Sequence, residues 1–139
     1  MEYKSFNGTF IVRLDVGDEI VESIKKIVET ENIKLAQING LGGASNFTIG
    51  VRKKDTKDYV KATFSGDYEI TNLHGNVTRM NGEPYLHLHI GCGNDKNEYY
   101  GGHLFSCVIG ATAEIFITTY DGIVERKLDE RTGLNLFTF

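Results

Sequence analysis

Proline occurs once, as Pro84, and tryptophan not at all. One proline leaves no room for a Pro-rich linker or a polyproline ligand segment. Cysteine is nearly as scarce. Cys92 and Cys107 are spaced for neither a CxxC redox pair nor a paired-CxxC zinc site, so no disulfide framework is expected. They read as reduced, partly buried small side chains of a cytoplasmic protein. No apolar run approaches the roughly 20 residues that span a bilayer, and no basic stretch followed by an apolar one opens the chain. Neither membrane insertion nor export is expected. Positive charge is also short: 15 Lys and Arg against 19 Asp and Glu leave a net −4. The whole-chain field therefore repels phosphate, and any nucleic-acid contact has to come from a local patch. One patch exists, Arg52, Lys53, Lys54, Lys57 and Lys61. Asp55 and Asp58 interrupt it and no aromatic stacking pattern runs through it, so a solvated hairpin tip competes with a phosphate site.

What is present fits one domain over residues 1–139, long enough to bury a core without staples. The 16 glycines are dispersed and punctuate short elements. Phe6 to Leu14 alternates and is rich in Phe, Ile, Val and Thr, the pattern of a strand. Gly17-Asp18 offers a turn and an N-cap. Ile20, Val21, Ile24, Ile27 and Val28 then recur at helical spacing up to about Asn32. The remainder reads as short strands: 34–41, 45–53, 58–65, 67–73, 76–80, 85–92, 103–109, 113–120, 123–127 and 134–139. The class is α+β, a mostly antiparallel sheet or partial barrel packed with one or two helices. The near-continuous apolar repeat from Gly110 to Thr118 predicts a central strand covered on both faces. Gly40-Leu41-Gly42-Gly43 reads as a turn.

Three of the four histidines fall between Leu86 and Leu104. In a strand, His87 and His89 share one face while Leu86, Leu88 and Ile90 line the other. Two imidazoles about 6.5–7 Å apart along a strand can bite one metal ion. His103, behind Gly101 and Gly102, is the natural third ligand. Asn81-Gly82 is a strong type I′ turn signal, and pairing outward from it sets Asn76 opposite His87 and His74 opposite His89. That register makes His74 a fourth candidate; a slip or a bulge at Gly75 would turn it away. Nitrogen ligands favour zinc, with other divalent transition metals open by ligand type. The competing reading is a polar strand face at a subunit interface. Three histidines plus water is a catalytic zinc pattern, in which the water's pKa falls towards about 7. Glu114, Asp95 and Glu98 are the candidate bases, Glu114 first. Buried in an apolar strand, Glu114 would need a partner such as Arg52 or Arg79. Tyr99 and Tyr100 fit a pocket wall or a subunit seam equally well.

Gly66-Asp67-Tyr68-Glu69-Ile70-Thr71, Gly75-Asn76-Val77, His87-Leu88-His89, Gly101-Gly102-His103-Leu104 and Thr112-Ala113-Glu114 follow one another in an order and spacing that resembles the plants-and-prokaryotes conserved domain, PPC. The resemblance extends over essentially the whole chain. It implies a compact α+β fold assembled as a homotrimer, of the stand-alone prokaryotic type. It further implies a metal ion held by His87, His89 and His103, and possession by analogy of a DNA-binding label. Plant members carry an Arg-Gly-Arg-Pro hook for the minor groove, and this chain has none. The expected function is thus a trimeric binding or regulatory module with a three-histidine zinc site and a role among DNA-associated partners. The alternative is a small zinc-dependent hydrolase or lyase using the water on that ion, with Glu114 moving the proton. A third reading is duplex binding through Arg52 to Lys61.

Overall fold

The computed structural model describes residues 1–139. The elements in chain order are β1 (Glu2–Phe6), β2 (Thr9–Asp15), α1 (Ile20–Thr30), β3 (Ala36–Arg52), β4 (Tyr59–Met80), β5 (Glu83–Gly93), β6 (Tyr99–Thr119), β7 (Glu125–Asp129) and β8 (Leu134–Thr138). They form a single sheet in the order β1-β2-β6-β3-β4-β7-β8, antiparallel except for one β4–β7 bridge. β5 pairs with both β4 and β6, which closes β3, β4, β5 and β6 into a ring. There is one helix.

Long strands carry this ring. β3, β4 and β6 each merge segments that the sequence divides at glycines. The breaks expected near Gly43, Gly66 and Gly110 are shifts of register within continuous strands, and at Gly75 the strand runs on with its register unbroken. A bulge absorbs an extra residue and tightens the twist, so a glycine cluster bends the strand without ending it. The turn expected at Gly40 to Gly43 is such a bend. β1 adds a strand ahead of the expected one, joined to β2 through Asn7 and Gly8 at φ 48 and 82, the left-handed pair of a type I′ turn.

Helix α1 buries Ile20, Ile24, Ile27 and Val28 completely, each burial contributing about 1.5–3 kcal/mol. Its N-cap is Glu19, one residue beyond the expected Asp18: a Glu19 carboxylate oxygen accepts from the Glu22 amide at 2.7 Å, and the other accepts from the Cys107 amide at 2.7 Å. Cap and sheet are thereby joined. Both cysteines are free and fully buried, and burial pushes the Cys92 thiol up to about 12 and raises that of Cys107 as well. Phe47 is also fully buried, stacked on Phe64 and met edge-on by Tyr68.

β6 is central in the sheet but is covered on one face only. Ala113, Ile115 and Ile117 are buried while Glu114 and Phe116 are exposed, because α1 and the ring close over the inner face alone. The expectation of two covered faces is therefore corrected for the single chain. No helix is long and apolar enough to cross a membrane.

Candidate metal centre

The β4–β5 hairpin turns at Asn81 and Gly82, with φ 55 and 82, and pairs Met80 with Glu83. The ladder then runs without a slip through Asn76 opposite His87 and His74 opposite His89. On the other side of β5, His89 stands opposite His103 of β6. A row His74–His89–His103 thus crosses three strands, with His87 two residues along β5 on the same face. Leu88 and Ile90 point the other way into the core. Gly102 makes the approach of His103 feasible: a Cβ there would stand 2.8 Å from the Gly50 carbonyl oxygen.

One ring nitrogen from each of His87, His89 and His103 lies within 4.8 Å of the other two. His74 flanks this group, its ring centre 5.9 Å from that of His89, and stands outside the set. Burial lowers the pKa of all three, with repulsion from neighbouring rings added: His103 falls to about 4, helped by Lys61, and His87 feels Arg126 as well. At neutral pH the three imidazoles are neutral and their lone pairs free of competing protons.

The His87–His89 pair has the spacing that a tetrahedral divalent ion asks of its ligands. Two zinc–nitrogen bonds of tetrahedral geometry put their nitrogens about 3.3 Å apart. The Nε2 atoms of His87 and His89 are 3.3 Å apart. One hydrogen bond between the two rings would account for that contact alone, but it leaves His103 with a buried Nδ1 that has no partner. A buried polar atom without a partner costs about 1–3 kcal/mol, so the His103 ring carries a nitrogen that no group of the chain satisfies. Tyr59 and Phe105 pack on the His103 ring, each with centres 5.1 Å away, and hold it in place.

The other sequence candidates fall elsewhere. Glu114 lies on β6 far beyond His103, on the order of 30 Å along the strand. It is exposed and faces Arg13 across β2, so the buried ion pair expected with Arg52 or Arg79 does not form. Arg79 donates to the Ile33 carbonyl at 2.9 Å, and Arg52 donates to that of Thr132. Glu98 accepts from Asn94 and Tyr100, and with Asp95 it lines a separate cavity of about 650 Å³ that contains no histidine. Lys53 and Lys54 sit on the exposed β3–β4 turn, Lys57 donates to the Glu130 carbonyl at 2.9 Å, and Lys61 lies 3.7 Å over the Phe105 ring.

Two features have no counterpart in the sequence reading. One is a cavity of about 520 Å³ that has His87 and His103 in its wall. The other is Arg126, 8% exposed, which lines it. A single arginine in Glu125-Arg126-Lys127 looks like any surface charge, and only the β7–β8 ribbon folding back over β4 turns it inward.

The sequence matches the family model of the Plants and Prokaryotes Conserved (PCC) domain over residues 1–121. Among solved structures, a conjectured DNA-binding protein from Bacteroides thetaiotaomicron is 32% identical, with a TM-score of 0.96 over 99% of this chain and 96% of that one. A metal-containing protein from Archaeoglobus fulgidus is 35% identical, with a TM-score of 0.89 over 99% and 97%. A plant- and prokaryote-conserved protein from Pyrococcus horikoshii is 34% identical, with a TM-score of 0.87 over 99% and 95%. Comparison with curated proteins finds no match. The ring of four strands, the histidine row at its edge and the match over most of the length agree: the chain belongs to the Plants and Prokaryotes Conserved domain family.

Proposed function

We propose that this protein is a trimeric binding or regulatory module of the cytoplasm built around a zinc ion on His87, His89 and His103. The observation that carries the metal reading is the mutual approach of three neutral imidazole nitrogens within 4.8 Å. The metal-containing relative from Archaeoglobus fulgidus supports it. His74 stands close enough to orient or shield His89, and is not needed as a ligand. Neutral nitrogen donors suit zinc, and the same set accepts other divalent transition ions. Trimer formation is supported by the exposed apolar face of β2, β6 and β3.

Partners associated with DNA are supported by the naming of the Bacteroides thetaiotaomicron relative. Direct duplex binding has less behind it. Of the five basic candidates, Arg52 and Lys57 are turned onto backbone carbonyls and Lys61 onto an aromatic ring, which leaves Lys53 and Lys54 for phosphate.

A second reading, a small zinc-dependent hydrolase or lyase, is favoured by the cavity of about 520 Å³ beside His87 and His103. A bound zinc would supply Lewis acidity there. The chain's own part would be to seat a small molecule against the two rings between Tyr59 and Tyr85. Glu114 could move a proton for this site only from another copy of the chain, given its place on β6.

Elemental analysis of untagged protein purified without chelator tests the metal. Close to one zinc per chain is expected, lost in the His87→Ala, His89→Ala double variant. Wild-type protein that stays metal-free after incubation with zinc would overturn both readings.

A further inference from the structure

Arg126 is buried with its charge uncompensated. Its Nε donates to Thr78 Oγ1 at 2.7 Å, one Nη to the Asn135 carbonyl at 2.7 Å and the other to Asn76 Oδ1 at 2.9 Å. Tyr85 and Phe137 lie over the guanidinium, with ring centres 4.6 and 4.4 Å away. Every partner is neutral, and none of the protein's ion pairs includes Arg126. A guanidinium has five N–H donors, so two remain beyond the three bonds. Burying a charge without a counter-charge is costly, and the exceptions concentrate where a charged ligand supplies the missing partner.

The surroundings repeat the pattern. Arg52 and Lys57 line the same cavity as Arg126, and they too are held by carbonyl oxygens, those of Thr132 and Glu130. No aspartate or glutamate is in the wall. The nearby Asp129 carboxylate is engaged with Thr132 and Arg131. Three cations without an acid therefore converge on a cavity of about 520 Å³, within the range of small-molecule sites. His87, His103 and Tyr59 line it as well. A duplex backbone reaches surface cations and not a guanidinium sandwiched between two rings. A planar carboxylate on a short carbon body matches both the fork of Arg126 and the aromatic lining.

We propose that this cavity binds a small organic carboxylate, held by Arg126 with Arg52 and Lys57 and lying against His87 and His103. The site goes beyond the metal reading and does not depend on it. Arg52 and Lys57 then serve an anion in this cavity, which gives a reason why these two of the five clustered cations border it.

Isothermal titration of chelator-treated protein with malonate tests this, with inorganic phosphate as the second probe. Metal-free protein is used so that failure of the zinc site leaves the result standing. Saturable binding of one malonate per chain is expected, tighter than phosphate. Arg126→Met should weaken it by about tenfold or more, the loss of one charged hydrogen bond. Lys57→Gln, at an exposed position that folding tolerates, should weaken it several-fold and keeps the test valid if Arg126→Met does not fold. Arg131→Gln, which removes the same charge outside the cavity, should leave it unchanged. Absence of saturable malonate binding by the wild type would overturn the proposal. Equal affinity in the Arg126 and Lys57 variants, or tighter binding of phosphate, would do so too.

Discussion

At the scale of single residues, the histidines make stability depend on pH in a defined direction. In the unfolded chain His103 titrates near its ordinary 6.5, and in the fold burial holds it at about 4. Between those values the unfolded state binds the extra proton, so acidification favours unfolding. His87 and His89, lowered by the same burial, add in the same sense. Stability of the metal-free protein is therefore full above about pH 6.5 and declines as pH falls towards 4. The carboxylates held low, Asp15, Asp18 and Asp129, act in the same direction but start near 3.8 and below, so the two windows are separable. Thermal melts of metal-free protein at pH 7.5, 6.5, 5.5 and 4.5 should show a midpoint falling by a few degrees across the upper window. His103→Phe should flatten that fall, and an unchanged slope in the variant would place the titrating group elsewhere. Because proton competition is weak at these rings, zinc should also stay bound at pH 5.5, where an exposed histidine site has begun to release it.

At the scale of elements, the β4–β5 hairpin shows what was legible in the sequence. A two-residue turn of known chemistry at Asn81-Gly82 fixes the register, and a strand period of two does the rest, so His74, His87 and His89 could be placed on one face from the sequence. His103 was legible through its glycine neighbours. The long strands were not, since glycine clusters signal turns and bulges alike, and tertiary pairing decides between them. Gly75 is neither, and lies in an unbroken ladder on both sides. A Cβ there would stand 2.0 Å from the His87 carbonyl oxygen of the neighbouring strand, so the residue serves strand approach and makes no turn. Gly75→Ala should force β4 and β5 apart and cost about 2 kcal/mol or more, seen as a lower urea midpoint at unchanged m-value. It should weaken zinc binding as well, because His87 shifts with the ladder. A variant of wild-type stability would mean that the strands part without cost. Arg126 was illegible for the opposite reason: nothing local distinguishes it, and its burial comes from β7 and β8 closing over Thr78 and Asn76, dozens of residues earlier in the chain.

At the scale of the whole molecule, the outer face of β2, β6 and β3 leaves an apolar area that a single chain does not cover. Ile11 stands opposite Phe116, and Leu41 opposite Glu114 on the adjoining strand, all on one face. Ile11, Leu41 and Phe116 are 40%, 55% and 45% exposed. Apolar side chains clustered on a sheet face, with Arg13 and Glu114 beside them, resemble a subunit seam more than a solvated surface. The long β3 and β6 run the length of that face, and a central strand can alternate there instead of being apolar throughout if a neighbouring copy, as proposed, covers its outer side. Light scattering on the wild type should give about three times the chain mass of 15.5 kDa. Phe116→Glu sets a second negative charge two residues from Glu114 on the same face and should shift the mass towards that of one chain. The inward residues Ile115 and Ile117 are untouched by the change, so the helical and strand signals in circular dichroism should persist in the dissociated variant. A wild type that scatters as a monomer would leave the face to another partner, and a trimer that survives Phe116→Glu would move the seam off this sheet.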